Sequence, residues 1–215
     1  MLPRRDLLEG AREPQALEAL IQQAEVVLRT YQSSWSAFLT GPQREEAEER
    51  FAPLGELHLR SAGGFPQAER RLLQISRSDQ AGDAQEPAPL ALIEVCGNFL
   101  FDPAEPTAIR SALIEQHSID PLDLGDVLVR GDRGALVIVT SAMAERLLEQ
   151  SLQVRSVECQ LQAGDWSRLP TQASSSKSLT SVEASLRLDA IASAGFGVSR
   201  SKMAAWIRQG RIRVD

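Results

Sequence analysis

The feature that most narrows the fold of this 215-residue chain is an ordered series of apolar segments between residues 90 and 161. Strand-like runs occupy Leu90–Cys96, Val127–Arg130, Ala135–Val139 and Val154–Leu161, and helix-like stretches occupy Thr107–Gln116 and Ser141–Ser151. The order is strand, helix, strand, strand, helix, strand, which is the split β-α-β arrangement of ferredoxin-like folds. We therefore predict an α+β protein with a ferredoxin-like (βαββαβ) middle domain at residues 86–163.

Residues 1–80 carry a different pattern, which combines amphipathic helices with short strands. Apolar residues at three- and four-residue spacing predict a helix with one buried face; they are Leu17, Leu20, Ile21, Ala24, Val27, Leu28 and Tyr31. Pro42 opens a second helical stretch, Gln43–Phe51, whose four glutamates we expect on a solvated face. Leu57–Arg60 and Leu72–Ile75 are typical of strands on either side of a turn. We predict a small helical and mixed N-terminal domain over residues 1–80.

Two polar segments divide the chain. Ser78–Pro89 contains Pro and Gly among polar residues, which is typical of an exposed loop. Residues 164–178 are rich in Ser and lack apolar periodicity, so we predict a linker there. Residues 179–215 then form a third domain.

The charge of the chain is unevenly distributed. The formal net charge is −6, which by itself argues against nucleic-acid binding. Residues 177–215, however, contain seven basic and three acidic side chains, so this segment carries +4 and residues 1–176 carry −10. A compact basic patch on an otherwise acidic chain is typical of a module that binds phosphate groups.

The local pattern of the basic segment predicts two helices and a strand. A short helix is expected through Ala194, ended by Gly195 and Gly197, and Ser199 is the expected N-cap of a second helix over Arg200–Gln209. Arg211–Val214 then alternates as a strand with its arginines on one side. Trp206 is expected in the core rather than as a platform for base stacking. Cations at a helix start and along a strand suit the RNA backbone better than base edges.

Residues 187–215 resemble the S4 RNA-binding domain in three features: the Arg-Leu-Asp opening, the Ser-Arg start of the second helix and the I-x-x-G-x-V/I-x-V ending. The resemblance implies an α-α-β module that binds RNA. It assigns a structural role to Asp189. It also implies RNA contacts at the seven matching positions, which are Arg187, Ser199, Arg200, Lys202, Gln209, Arg211 and Arg213.

Two further segments resemble the YlmH family. Residues 63–70, GGFPQAER, are similar to its G-G-aromatic-P-x-A-E-R signature, and Leu124–Val129 is similar to a G-D-I/V stretch of its middle domain. In this family a small N-terminal domain precedes a ferredoxin-like domain and an S4 domain. The likeness is greatest to photosynthetic-lineage members labelled photosystem II S4 domain proteins. Arg70 and Arg71, at the end of the first segment, are candidates for a secondary RNA contact.

The YlmH resemblance implies a protein that binds structured rRNA or tRNA at the large ribosomal subunit, in the rescue and quality control of stalled translation. The alternative is an assembly or repair factor for photosystem II that acts mainly through protein contacts. Family members continue past the position of Asp215 with residues that complete the S4 sheet. We therefore expect an incomplete S4 domain with a frayed last strand and weakened RNA binding.

Motifs of enzyme chemistry are missing from the sequence, which has no P-loop, dinucleotide fingerprint or G-x-S-x-G elbow. His58 and His117 have no catalytic partner by spacing, and Cys96 and Cys159, expected on neighbouring strands, are too few ligands for a zinc site. In pseudouridine synthases, the main enzymatic rival, the catalytic aspartate lies in a larger separate domain. Here the only Arg-Leu-Asp run, which ends at Asp189, lies in the RNA-binding helix. We expect no catalysis, no cofactor and no metal.

Composition also bears on the compartment. No run approaches the ~18 to 20 apolar residues that a membrane-spanning helix needs, and the first residues lack the apolar core of a secretory signal. Two cysteines cannot form a disulfide framework, which favours a reducing compartment. We expect a cytoplasmic protein, or a stromal one in a plastid-bearing organism, that is monomeric and does not insert into membranes.

Overall fold

The computed structural model of the chain describes residues 2–80, 86–170, 187–208 and 212. Two compact units are present, Met1–Ala173 and Ser174–Asp215. The first unit contains two antiparallel sheets with their helices, and the described part of the second contains two helices.

Three helices form the N-terminal part of the first unit: α1 (Arg4–Leu8), α2 (Pro14–Thr30) and α3 (Gly41–Phe51). The predicted apolar stripe is confirmed for the face of α2 that is buried, namely Leu17, Leu20, Ile21, Ala24 and Val27. Tyr31 departs from the expectation, because it takes a left-handed conformation that ends α2 and leaves its side chain exposed. A capping box between Thr40 and Gln43 begins α3.

The first sheet is small and packs on α2. Its strands are β1 (Ser34–Trp35), β2 (Leu57–Ala62) and β3 (Leu72–Arg77), in the order β1-β3-β2. Both neighbouring pairs are antiparallel. The predicted strands at residues 57–60 and 72–75 are thus confirmed, each extended by two residues.

Glu46 corrects the prediction that the glutamates of α3 form a solvated face. Its side chain is only 2% exposed, and its carboxylate accepts the backbone N–H groups of Arg12, at 2.8 Å, and Glu13, at 2.7 Å. These donors precede α2, whose own N-cap residue Glu13 makes no capping bond with its side chain. Burial raises the pKa of Glu46, but the two backbone N–H groups and the charges of Arg12 and Arg50 outweigh burial and lower it overall.

Glu46→Ala is expected to reduce the free energy of unfolding by about 3 kcal/mol, because two buried N–H groups lose their charged acceptor. Since the pKa of Glu46 is lower in the folded than in the unfolded chain, this stabilisation is complete above the unfolded pKa of about 4.3. It is lost as the pH falls through the folded-state pKa. The melting temperatures of the unmodified protein and of Glu46→Ala should therefore differ at neutral pH and converge at acid pH.

The matched control is Glu49→Ala, which removes an exposed carboxylate from the same helix. Its melting temperature should stay close to that of the unmodified protein. Equal melting temperatures for Glu46→Ala and Glu49→Ala at neutral pH would contradict the role of Glu46.

The second sheet has five strands and two helices. Its elements are β4 (Leu90–Cys96), α4 (Pro106–His117), β5 (Leu124–Val129), β6 (Gly134–Thr140), α5 (Ser141–Leu147), β7 (Ser151–Val154) and β8 (Val157–Ala163). The strand order is β5-β6-β4-β8-β7, with every neighbouring pair antiparallel. Because β6 lies between β4 and β5, α4 connects two strands that are not neighbours, which is the split β-α-β arrangement. The predicted ferredoxin-like fold is present, with one additional strand.

The additional strand arises where the sequence predicted one continuous strand over Val154–Leu161. Val154 pairs with Val157, so Arg155 and Ser156 form a tight turn between β7 and β8, and Arg155 has a positive φ of 51°. Asp102, which lies outside the hairpin, stabilises the turn. The Ser156 hydroxyl donates to its carboxylate at 2.6 Å, and Arg155 forms an ion pair with the same carboxylate. The segment from Ser151 to Gln160 contains no Gly, Pro, Asn or Asp, which explains why the turn was not predicted.

Apolar side chains cover both faces of the second sheet. On one face α4 and α5 pack through residues such as Ile109 and Leu147. The opposite face packs against the first sheet through a cluster of Phe38, Leu72, Leu92, Leu136, Ile138 and Leu169. Leu169 lies in the segment expected to be a linker. The structure differs from that expectation up to this residue, because Leu169 is buried and the Gly164 N–H donates to the Leu92 carbonyl.

Candidate nucleic-acid interface

Two short helices form the described part of the second unit. Helix α6 (Leu188–Phe196) ends at Gly197, whose φ of 62° is left-handed, and α7 (Arg200–Arg208) follows. The Ser199 hydroxyl accepts the Lys202 N–H at 3.3 Å, so Ser199 caps α7 as predicted. The helices pack through Ala190, Ser193 and Met203, which are buried. The predicted pair of helices is therefore confirmed.

Asp189 contacts Arg187 and Arg200, two of the residues predicted to contact RNA. Its carboxylate accepts Arg187 Nε at 2.9 Å and lies 3.4 Å from Arg200 Nη2. The hydrogen bond from Arg187 and the charges of both arginines lower the pKa of Asp189. The side chain of Asp189 is only 17% exposed, whereas those of Arg187 and Arg200 are 72% and 56% exposed. The carboxylate thus has a structural role, as predicted, and both cations remain accessible to solvent.

Arg187 and Arg208 also line one groove of about 370 Å³, together with Asp189, Ala204 and Ile207. Residues 200, 204 and 208 lie on one side of α7, because successive positions are four residues apart. We use the name basic groove for Arg187 and Arg208, which line this groove, together with Arg200, which contacts Asp189 beside Arg187. Arg208 is absent from the predicted contacts, although its eight-residue spacing from Arg200 was readable in the sequence.

Lys202 lies on a different side of α7 from the basic groove. Two residues correspond to about 200° of rotation around a helix, and the Lys202 ammonium lies 5.2 Å from the centre of the Trp206 ring. Trp206 is half-buried, so it is neither a fully buried core residue nor a freely exposed ring. Lys202 and Trp206 therefore lie apart from the basic groove.

Three other predicted RNA contacts, Gln209, Arg211 and Arg213, lie outside the described residues, as does the predicted strand Arg211–Val214. Their roles stay predictions.

Arg70 and Arg71, the candidates for a secondary RNA contact, direct their guanidinium groups to backbone carbonyls of the first unit. Arg70 donates to the carbonyls of Leu124, at 2.9 Å, and Pro121, at 3.3 Å. Arg71 donates to the Ala68 carbonyl at 2.9 Å and also to that of Pro66. Both arginines therefore brace the segment that contains the two adjacent glycines.

The two glycines are required by close packing. A Cβ at Gly63 would lie 2.4 Å from the Ala68 Cβ, and Gly64 has a φ of +86° and faces Trp166. Asp126 at the edge of the second sheet anchors the same segment, since its carboxylate accepts the N–H groups of Glu69, at 2.7 Å, and Arg70, at 3.1 Å.

Asp126→Ala is expected to lower the free energy of unfolding by about 2 kcal/mol, because two backbone N–H groups lose a charged acceptor. Chemical denaturation followed by circular dichroism measures the loss. Asp126→Asn, which keeps one carbonyl acceptor in place, should lose less. An unchanged denaturation midpoint for Asp126→Ala would show that the segment is held without this carboxylate.

Comparison with known proteins supports both resemblances noted above. Residues 12–80 match the family model described as YlmH, N-terminal, and residues 186–215 match the S4 domain model. The chain carries a YlmH-type N-terminal domain and an S4 domain. An S4 domain is an RNA-binding domain, which indicates that this chain binds RNA through the unit that contains the basic groove.

A solved structure and the curated sequences complete the comparison. The cell division protein ylmH from Streptococcus pneumoniae is 17% identical and has a TM-score of 0.56, with 74% of this chain and 94% of that chain covered. This likeness shows a shared fold. None of the curated protein sequences compared with the chain matches it, and the photosystem II label has no support from these matches.

The remaining candidate groups of the chain are two cysteines and two histidines. Cys96 and Cys159 are free thiols, and burial, with a smaller effect of Cys96, raises the pKa of Cys159 to about 11. His117 Nε2 lies 3.1 Å from the Ser151 carbonyl and so contacts the edge strand β7. Within the described ranges, no three His, Cys, Asp or Glu side chains are grouped so as to hold a metal ion. No helix in those ranges is long and apolar enough to cross a membrane.

Proposed function

We propose that the protein binds structured rRNA or tRNA at the large ribosomal subunit and acts there in the rescue of stalled translation. The observation that carries this proposal is the basic groove, in which Arg187 and Arg200 share one largely buried carboxylate and Arg208 lines the groove with Arg187. Guanidinium groups bind phosphate oxygens in pairs of hydrogen bonds, so three exposed arginines in one small unit suit a folded RNA backbone.

The arrangement favours recognition of RNA shape over base sequence. None of the described residues that line the groove is aromatic, so bases find no ring among them to stack on. Contacts from arginine to phosphate fix position and orientation without reading sequence. Structured rRNA and tRNA offer such shaped backbones.

Binding without catalysis is part of the proposal. In this proposal the Asp189 carboxylate, which ends the Arg-Leu-Asp run, positions Arg187 and Arg200 for phosphate contacts. The proposed site of action is the cytoplasm, or the stroma in a plastid-bearing organism, where ribosomes are present.

Sedimentation of cell extracts in sucrose gradients tests the proposal. The tagged protein should co-sediment with large ribosomal subunits and leave those fractions after ribonuclease treatment. Sedimentation with membranes or photosystem complexes, insensitive to ribonuclease, would contradict it and favour the role in photosystem assembly. Altered nucleosides found by mass spectrometry after incubation with RNA would contradict the absence of catalysis.

A further inference from the structure

A second candidate site lies in the first unit, where the first sheet meets the second. A pocket of about 510 Å³ opens between the segment that follows Gly63 and Gly64 and the start of α4. We call it the junction pocket. Its polar lining includes Arg70, Arg110 and Thr107, and its apolar lining includes Phe65, Val127 and Leu128. A pocket of this volume is large enough for a small organic ligand.

Two arginines meet in the junction pocket on the same neutral acceptors. Arg110 donates to the carbonyls of Pro121, at 2.7 Å, and Gly125, at 3.1 Å, and Arg70 shares the Pro121 carbonyl. Like charges placed this close repel each other. Burial lowers the pKa of both guanidinium groups, and the charge of Arg70 lowers that of Arg110 further. The neutral carbonyl groups therefore do not neutralise the positive charge of Arg70 and Arg110.

The acidic groups of the junction pocket do not neutralise that charge by direct pairing. Both carboxylate oxygens of Asp126 accept backbone N–H groups, and Glu69 is exposed. Across the described residues, neither Arg70 nor Arg110 forms an ion pair with a carboxylate. The coulombic effect of Asp126 reaches both arginines but is smaller than that of burial.

Helix α4 adds positive potential to the same place. Its first residues, Pro106 and Thr107, line the junction pocket, and its N-cap residue Glu105 makes no capping bond with its side chain. The N-terminus of a helix attracts anions through its N–H groups and its dipole. Two arginines and this helix start thus surround one region of the pocket, and an apolar wall completes it.

We propose that the junction pocket binds one unpaired nucleotide of RNA, with its phosphate on Arg70 and Arg110 and its base against Phe65, Val127 and Leu128. A phosphate supplies the negative charge that the arginine pair lacks. An unpaired base can leave its stack and lie on an aromatic ring, which is how proteins recognise single-stranded RNA. This inference rests on the proposed RNA binding and adds a second contact that is independent of the basic groove.

Calorimetric titration of the full chain with uridine monophosphate and with inorganic phosphate tests the pocket. Thr107→Asp is the decisive variant, because a carboxylate in the first turn of α4 favours the helix but repels phosphate. It should melt at an unchanged temperature and bind uridine monophosphate at least about tenfold more weakly. Thr107→Asn, a neutral variant of similar size, and Gln22→Glu, which makes the same charge change on exposed α2, should alter binding less than about twofold.

Each result decides between the alternatives. Binding of uridine monophosphate no tighter than that of inorganic phosphate would overturn the role of the apolar wall. Equal effects of Thr107→Asp and Gln22→Glu, or no binding of the nucleotide, would overturn the pocket as a whole. If the nucleotide binds as expected but folded rRNA does not, the proposed function fails and the pocket stands. If Arg200→Glu weakens rRNA binding and the nucleotide does not bind, the pocket alone fails.

Discussion

Gly134→Ala is expected to lower the free energy of unfolding of the first unit by about 4 kcal/mol or more. Gly134 begins β6 and pairs with Cys96 on β4. Its φ of +118° and ψ of −135° belong to a region that only glycine adopts without strain. A Cβ there would lie 1.8 Å from the Val95 carbonyl oxygen. Since β6 is held between β4 and β5, neither backbone can move aside without breaking strand pairing.

Thermal unfolding followed by circular dichroism measures this loss, which corresponds to a decrease in melting temperature of roughly 10 °C. The matched control is Gly131→Ala in the same connection between β5 and β6. Gly131 also has a positive φ, of +63°, but no described residue other than its chain neighbours lies within 4 Å of the position that its added methyl group would take. This control should lower the free energy of unfolding by only about 1 kcal/mol. Similar losses for both variants would show that backbone strain, and not the contact with Val95, limits this position.

Arg200→Glu combined with Arg208→Glu is expected to weaken binding of folded rRNA by at least about 100-fold near physiological salt. Both side chains belong to the basic groove, and each lost phosphate contact releases one fewer condensed counterion. The dependence of log affinity on log salt concentration should therefore become shallower by about 1 per residue. Filter binding across a range of salt concentrations measures affinity and slope together.

Two further variants separate groove contacts from net charge and from misfolding. Arg29→Glu with Arg146→Glu makes the same charge change on exposed residues of the first unit and should have a much smaller effect. Arg200→Gln with Arg208→Gln avoids placing a carboxylate beside Asp189 and should still reduce the slope. Unchanged affinity and slope in the Glu pair would show that the basic groove is not the RNA-binding surface.

Much of the fold could be predicted because its signals are local. The stripe from Leu17 to Val27 repeats with the period of a helix, and Ser199 and Gly197 are residue types that begin and end helices. The same locality explains the failure at Arg155 and Ser156. Their turn depends on Asp102, which is more than 50 positions away, and the surrounding segment has no Gly, Pro, Asn or Asp to mark it.

The candidate site also combines residues that the sequence predicted with residues that only the fold brings together. Arg187 and Arg200 were predicted from the S4 resemblance, and the structure places both on Asp189. Its spacing from Arg200 placed Arg208 on the same side of α7, but its position in the groove with Arg187 follows from the packing of α6 on α7. The junction pocket was indicated only by Arg70, since Arg110 lies 40 positions further along the chain and joins it through the sheet.

The order of helices and strands, the concentration of basic residues near position 200 and the resemblance to the YlmH family follow from local sequence alone, because these properties depend on residue type and short-range spacing. The burial of Glu46 as a cap for α2, the hairpin of β7 and β8, and the meeting of Arg70 with Arg110 arise only in the folded chain. Each of these depends on a contact between distant positions, because a charged group changes its role when another part of the chain supplies its hydrogen-bond partners and removes it from water.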